Sequence, residues 1–380
     1  MVQNVKDFIE GMMSVQGTKI DFSADRNRIL KEILPVIRKN CDISNAHHSG
    51  LFSLCGLFLR LKDHYNWEHK NPPWNPTDKE QLLTWIDGKE TLWLHCLDSS
   101  YEPIRINGHI FDFLNNQAVN QYLIPAGLYY GSGYGRGLKP TFFLGTVKEK
   151  RLVEGFTLII LEQDLACDLS PAPAQRQGRT IVIRLDPLRF FLWSKIQEMD
   201  QLEREGTDLA LYYYGWDPAL PPDNQLEPIV QSELETILFH ELGEAKDRSF
   251  PHGLWRSLLV HFPFSRIELY LRTLKDLLAD THPGGTLNYI IREKKAGSLG
   301  FYLSNLKGLR HSLFPEIIPA IRKFKSQKDW TVIEQARKIG RKRLILQTLR
   351  IRELAETYIP PRPEEFSRCF EQEFFKPFGL

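Results

Sequence analysis

Residues 239–246 read FHELGEAK, and three of their side chains could do chemistry together. His240 and Glu244 are four residues apart, so on a helix they point to one side and could share a metal ion. Glu241 would lie beside them, where a carboxylate can polarise a metal-bound water. The stretch therefore predicts a helix that carries two metal ligands, His240 and Glu244, and a catalytic base, Glu241.

The position of Glu241 on this helix sharpens the prediction. On a helical wheel of residues 231–247, Glu241 falls within an apolar arc formed by Leu234, Ile237, Leu238, Leu242 and Ala245. An unpaired buried carboxylate costs several kcal/mol, so we expect Glu241 to have a cation, a metal-linked water or a bound proton. A structural alternative stays open, in which Glu233, His240 and Glu244 form a polar border with salt bridges to another helix.

The residues FHELGEA resemble the FHELGHA form of the zinc-binding helix in zincin metallopeptidases, and the resemblance covers this helix only. It implies that His240 and Glu244 hold the metal and that Glu241 is the general base. The implied reaction is hydrolysis of an amide or peptide bond through a metal-bound hydroxide. Glu244 replaces the second histidine of the family, which lowers the Lewis acidity of zinc and suits iron or manganese better. The expected cofactor is thus a divalent transition metal, namely zinc, iron or manganese.

A third ligand is needed, and the glutamate-type zincins take it from a glutamate on the next helix. Glu268 occupies that place in the chain. It also fits a capping box with Ser265 and an i,i+4 pair with Arg272, so a purely structural role stays open. The remaining options are His252, His261, Asp276, Asp280 and His282.

Two other classes of protein are compatible with the same helix. In a di-iron carboxylate protein, Glu233, His240 and Glu244 would supply half of the site, and the segment with Asp63, His64 and Glu68 would supply the other half. The Glu-x-x-His spacing of such sites is absent from both segments, which ranks this reading below the hydrolase. In a non-enzymatic scaffold, the helix would serve packing alone.

Composition and local sequence patterns indicate the partners and the location that we expect for the protein. The 380 residues carry a formal net charge of only +2, which does not point to nucleic acid. The five cysteines are widely spaced, so disulfides and a thiolate zinc site are not expected. The N-terminus lacks the pattern of a secretion signal, and the most apolar early stretch is too short to span a bilayer. We expect a soluble cytoplasmic protein without membrane contacts; substrate and oligomeric state are not indicated.

Two further patterns carry little functional weight. The glycine-rich GSGYGRG at 131–137 does not match a dinucleotide-binding GxGxxG and reads as a turn. The segment 336–352 holds seven basic residues, and we interpret it as a solvated helix face that pairs with acidic neighbours. Nucleic-acid binding is therefore not expected.

The elements that must position these residues form an α+β pattern, mostly helical with a small central β-sheet between two helical regions. We divide the chain into an N-terminal helical region at 1–100, a sheet region with one helix and a proline-rich connector at 101–229, and a C-terminal helical region at 230–380. Four strands are predicted within 101–186. One helix is predicted from Asp186, its N-cap, through residue 205, and further helices at 230–247, 253–262, 265–281, 304–325 and 329–357.

Overall fold

The computed structural model describes residues 23–197 and 200–378. Three helices come first, within the region predicted to be helical: α1 (Ser23–His48), α2 (Leu54–Glu68) and α3 (Lys79–Cys96). The N-terminal segment tested for a secretion signal lies outside the described residues. Within the described part, no helix is both long and apolar enough to cross a membrane.

Two sheets follow the first helices. Strands β1 (Ile104–Ile106) and β2 (His109–Phe111) form a small hairpin, and α4 (Asn116–Leu123) leads from it into the main sheet. The main sheet has the order β3-β4-β5-β7-β6, with strands β3 (Leu128–Tyr134), β4 (Pro140–Val153), β5 (Phe156–Cys167), β6 (Ala174–Gln177) and β7 (Thr180–Arg184). Only the β5–β7 pair is parallel, and the other neighbours are antiparallel.

The glycine-rich segment 131–137 forms a turn only in its second half. Residues 135–137 lie in the turn between β3 and β4, as the sequence predicts, whereas residues 131–134 belong to β3. Gly131 lies in the strand because its missing side chain makes room for the ring of Phe143 on β4. A Cβ at Gly131 would come within 2.0 Å of that ring. Gly131 thus permits close packing within a strand, whereas the chain reverses at residues 135–137, where the N–H of Gly135 donates to the carbonyl of Lys139.

The C-terminal half is helical. Its helices are α5 (Leu185–Ile196), α6 (Gln201–Tyr214), α7 (Pro222–Lys246), α8 (His252–His261), α9 (Arg266–Thr281), α10 (Thr286–Arg292), α11 (Ala296–Ser304), α12 (Leu309–Leu313), α13 (Ile317–Gln327), α14 (Trp330–Tyr358) and α15 (Pro363–Phe370). The α+β class with a small sheet between helical regions is confirmed.

Several helix boundaries differ from the predictions. The helix expected from Asp186 is two helices, and Arg184 rather than Asp186 is the N-cap of the first. The Asp186 carboxylate instead accepts a hydrogen bond from the backbone N–H of Asp164. The predicted helix 304–325 is also interrupted, because Gly308 adopts a positive φ of 55° that a regular helix cannot contain.

Helix α7 carries the motif and lies between the sheet and the C-terminal helices. Its apolar side packs with strands β5 and β7 and helix α5 in one buried cluster, to which Leu234, Leu238 and Leu242 belong. The opposite contact, with α9, is unusually close at Gly243. A Cβ there would lie 2.3 Å from the carbonyl oxygen of Ala279. The glycine of HELGEA thus lets α7 approach the C-terminal end of α9.

Candidate functional site

A cleft of about 620 Å³ lies between α5, α7, α9 and α11, and residues 172–174 at the start of β6 close one side. His240, Glu241 and Glu244 all line it, as the motif predicts. The cleft also contains several polar side chains from distant parts of the chain: Glu233, Thr236, Arg272, Asp276, Asp280, Thr286, Ser298, Asn305 and Arg310.

His240 forms an ion pair with Asp280 at the end of α9. The His240 Nδ1 to Asp280 Oδ1 distance is 2.8 Å, and Arg310 contacts the other oxygen of Asp280 at 2.5 Å. Burial alone would lower the pKa of His240, but the charge and hydrogen bond of Asp280 raise it to about 10. The ring is therefore an imidazolium at neutral pH. Its side chain is 25% exposed, and within the described part of the chain no hydrogen bond engages Nε2.

Glu241 is buried as the helical wheel predicts, with 7% of its surface exposed. Among the described residues, no hydrogen bond or ion pair reaches its carboxyl group, although it lines the cleft. Burial raises the pKa of Glu241 to about 7, with repulsion from Glu244 adding to the effect and His240 opposing it. Of the partners expected from the sequence, the bound proton is the one that this environment favours near neutral pH.

Glu244 has a different environment, three residues further along α7. Its Oε1 accepts a hydrogen bond from Lys275 Nζ at 2.8 Å and lies 3.7 Å from Arg176 Nη2 on β6. Burial would raise the pKa of Glu244, but these cations and His240 lower it overall. Glu244 is thus ionised, whereas the neighbouring carboxyl group of Glu241 keeps its proton to a higher pH. The salt bridge to α9 is the one that the structural alternative predicts.

Glu268 lies outside the lining of the cleft. Its carboxylate accepts hydrogen bonds from the backbone N–H groups of Gly137 and Phe264 and from Arg272 Nε. Ser265 caps α9 by accepting from the Glu268 N–H, so the predicted capping contact and the Arg272 pair are both present. Glu268 therefore anchors the segment that follows β3 and orients Arg272, which does line the cleft.

The residues proposed for a di-iron site are separated. Glu233 lies in the cleft, where Tyr214 and Ser298 donate hydrogen bonds to its Oε1. Asp63 and His64 line another cavity of about 280 Å³ between α2 and α5. In the ranges that the structure covers, no group of three or more His, Cys, Asp or Glu side chains is arranged to hold a metal ion.

Sequence reasoning missed several members of the site. Asp280 and Asp276 were weighed as metal ligands, but the pairing of Asp280 with His240 was not foreseen. Arg310 and Ser298 gave no signal, because neither belongs to a motif and both reach the cleft only through tertiary packing. Arg176 was also not predicted. It lies on β6, and only the pairing of β6 with β7 brings it close to the motif helix.

The fold and site together define an α+β protein with a buried polar cleft, in which an imidazolium and two differently titrating glutamates lie on one helix. Two models of one family match this chain: the family of unknown function (DUF6866) N-terminal domain over residues 32–184, and its C-terminal domain over residues 189–373. The first match ends at the last residue of β7, and the second begins at the fifth residue of α5. No curated protein and no solved structure matches the chain.

Proposed function

We propose that the cleft is the active site of a hydrolase acting on an amide or similar bond, with Glu241 as the general base. The observation that carries the proposal is a carboxyl group that is buried, lacks a hydrogen bond or ion pair in the described residues, and lines a cleft beside an imidazolium. A buried group without such a partner is costly, and this kind of cost is characteristic of functional sites.

The residues divide the reaction between them. Glu241, once deprotonated, accepts a proton from water as the water oxygen attacks the carbonyl carbon. His240 keeps its proton and donates a hydrogen bond from Nε2 to the oxyanion that develops. Glu241 then returns the proton to the leaving nitrogen or oxygen, which breaks the bond and restores the starting state. Asp280 holds the ring of His240 in orientation throughout.

Hydrolysis of chromogenic p-nitroanilides and p-nitrophenyl esters tests the proposal. Glu241→Gln should lower the rate about 10²–10⁴-fold, the usual contribution of a positioned base. Glu235→Gln is the matched control, because Glu235 lies on the same helix, pairs with Arg151 and does not line the cleft. The wild-type rate should rise with pH around a midpoint near 7. Equal rates for Glu241→Gln and wild type, or no hydrolysis by wild type, would overturn the proposal.

A metal-dependent form of the same hydrolase is the second candidate. Its supporting observation is the contact of His240 Nδ1 with Asp280, since metal-binding histidines are usually oriented by a carboxylate in this way. His240 Nε2 and Glu244 would hold zinc, iron or manganese, and the metal would polarise the carbonyl and the attacking water. Lys275 would have to leave Glu244, and Glu268 is too fully engaged to complete the set.

Metal binding separates the two forms. Equilibrium dialysis against Zn²⁺ or Mn²⁺ should load one ion per chain, and both His240→Ala and Glu244→Gln should abolish the accompanying rise in melting temperature. If hydrolysis survives chelation and no ion binds stoichiometrically, the metal-dependent form is refuted. A protein without hydrolysis and without metal would instead favour the scaffold.

The remaining parts of the proposal concern location and partners. We place the protein in the cytoplasm, because all five cysteines are free thiols. We do not assign it a nucleic-acid partner, because basic residues of α14 pair within the chain: Arg337 with Glu334, Arg341 with Asp247, Arg343 with Glu316 and Arg350 with Glu373.

A further inference from the structure

A second cavity adjoins the cleft on the β6 side, and we call it the side cavity. It measures about 430 Å³ and shares Glu241, Glu244, Arg272 and Asp276 with the cleft. Glu241 therefore lies where the two spaces meet. A substrate that reacts at Glu241 can extend in both directions from the reacting bond.

Three cations line the side cavity: Arg176 from β6, and Arg272 and Lys275 from α9. Each side chain is roughly a quarter to a third exposed, at 30%, 28% and 26% respectively. They come from two different elements and converge on one space. The fold produces this convergence, because β6 at the edge of the sheet places Arg176 opposite Arg272 and Lys275 of α9.

The nearby carboxylates accept hydrogen bonds from only some of the N–H groups of these three side chains. Glu244 takes one hydrogen bond from Lys275, and its contact with Arg176, at 3.7 Å, is an ion pair without a hydrogen bond. Arg272 uses Nε and Nη2 on Glu268 and on the carbonyl of Gly135, which leaves Nη1 without a hydrogen bond among the described residues. The ammonium group of Lys275 has further N–H donors besides the one used.

The other acidic groups do not cancel these cations fully. The Asp276 carboxylate pairs with Arg310, whose Nη1 lies 3.2 Å from Asp276 Oδ2. The donors of the side cavity thus face a space that suits a group rich in acceptor oxygens and negatively charged.

We propose that the side cavity binds an anionic group of the substrate, a carboxylate or a phosphate, through Arg176, Arg272 and Lys275. The inference rests on the proposed function, because it places this group on the β6 side of the bond that Glu241 attacks. The substrate class is then an amide or similar compound that carries an acidic group next to the reacting bond.

Calorimetric titration of the full chain with inorganic phosphate and, separately, with succinate tests the proposal at constant ionic strength. At least one of the two should bind with a dissociation constant below 10 mM, and Arg176→Gln and Lys275→Gln should each weaken it at least about 10-fold. The tighter of the two anions identifies the acidic group. Arg179→Gln is the matched control, since Arg179 follows β6, bonds to Gly155 and lines neither cavity.

Absence of binding for both anions, or equal weakening by Arg179→Gln, would overturn the anion site. Glu241→Gln separates this failure from failure of the proposed function. This variant lacks the base but keeps the three cations, so it should bind the anion at least as tightly as wild type. Anion binding with the expected variant pattern, together with unchanged hydrolysis in Glu241→Gln, would refute the base assignment and leave the anion site standing.

Discussion

Replacing Glu241 by Gln should change how protein stability depends on pH. The pKa of Glu241 rises from 4.5 to about 7 on folding, so the folded protein holds a proton that the unfolded chain has lost between these values. Stability therefore falls as pH increases through this window, by about 3 kcal/mol in full. Gln does not titrate, so the variant lacks this loss and gains stability relative to wild type as pH increases.

Urea unfolding at pH 5.0 and pH 8.5 measures the effect. Most of the full change, about 2–3 kcal/mol, falls between these two pH values. The comparison of two pH values cancels any pH-independent cost of placing an amide in the cleft. Glu227→Gln is the control, because Glu227 lies on the same helix but does not line the cleft. Burial would raise the pKa of Glu227, but hydrogen bonds from Arg189 and Gln231 lower it overall, so Glu227 is ionised in both the folded and the unfolded chain above pH 5. The difference in stability between Glu227→Gln and wild type should therefore stay nearly constant. A change below about 0.5 kcal/mol for Glu241→Gln would show that Glu241 titrates normally and would refute the reasoning.

Three further predictions follow from the same contacts. His240→Gln removes a positive charge that lowers the pKa of Glu241, so the midpoint of the pH–rate profile should move above 7, and an unchanged midpoint would contradict the coupling. Glu268→Gln should destabilise the protein by about 2–4 kcal/mol in urea titrations, because a buried carboxylate with four hydrogen-bond contacts is replaced, and a loss below about 1 kcal/mol would contradict its anchoring role. Gly243→Ala should cost about 1–3 kcal/mol, whereas Gly88→Ala, where a Cβ has open space within α3, should stabilise by about 0.5–1 kcal/mol; similar effects of both would refute the close helix contact.

The sequence predicted those features that depend on local spacing. The period of apolar residues placed Glu241 on the buried side of α7, and the Ser265–Glu268 spacing predicted the cap of α9. Both follow from helix geometry alone, so neighbouring residues are enough to define them. The proportion and order of helical and strand-like segments were enough for the α+β class.

The features that depend on tertiary packing could not be read from the chain. Asp280 reaches His240 because Gly243 lets two helices touch, and these contacts join positions 36 to 40 residues apart in sequence. Strand β3 was missed because its glycines are typical of turns, and Gly131 is explained only by the ring of Phe143 on the next strand. The division at 100 and 229 stays a prediction.

The side cavity has a consequence for the chain as a whole. Arg176 belongs to the stretch matched by the N-terminal family model, whereas Glu241, Arg272 and Lys275 belong to the stretch matched by the C-terminal one. The side cavity thus lies between the two matched stretches, and each stretch contributes part of its lining. A protein cut at residues 185–188 would carry the motif helix on one fragment and the cation of β6 on the other. Because the two matched stretches belong to one chain, the walls that each contributes are covalently joined.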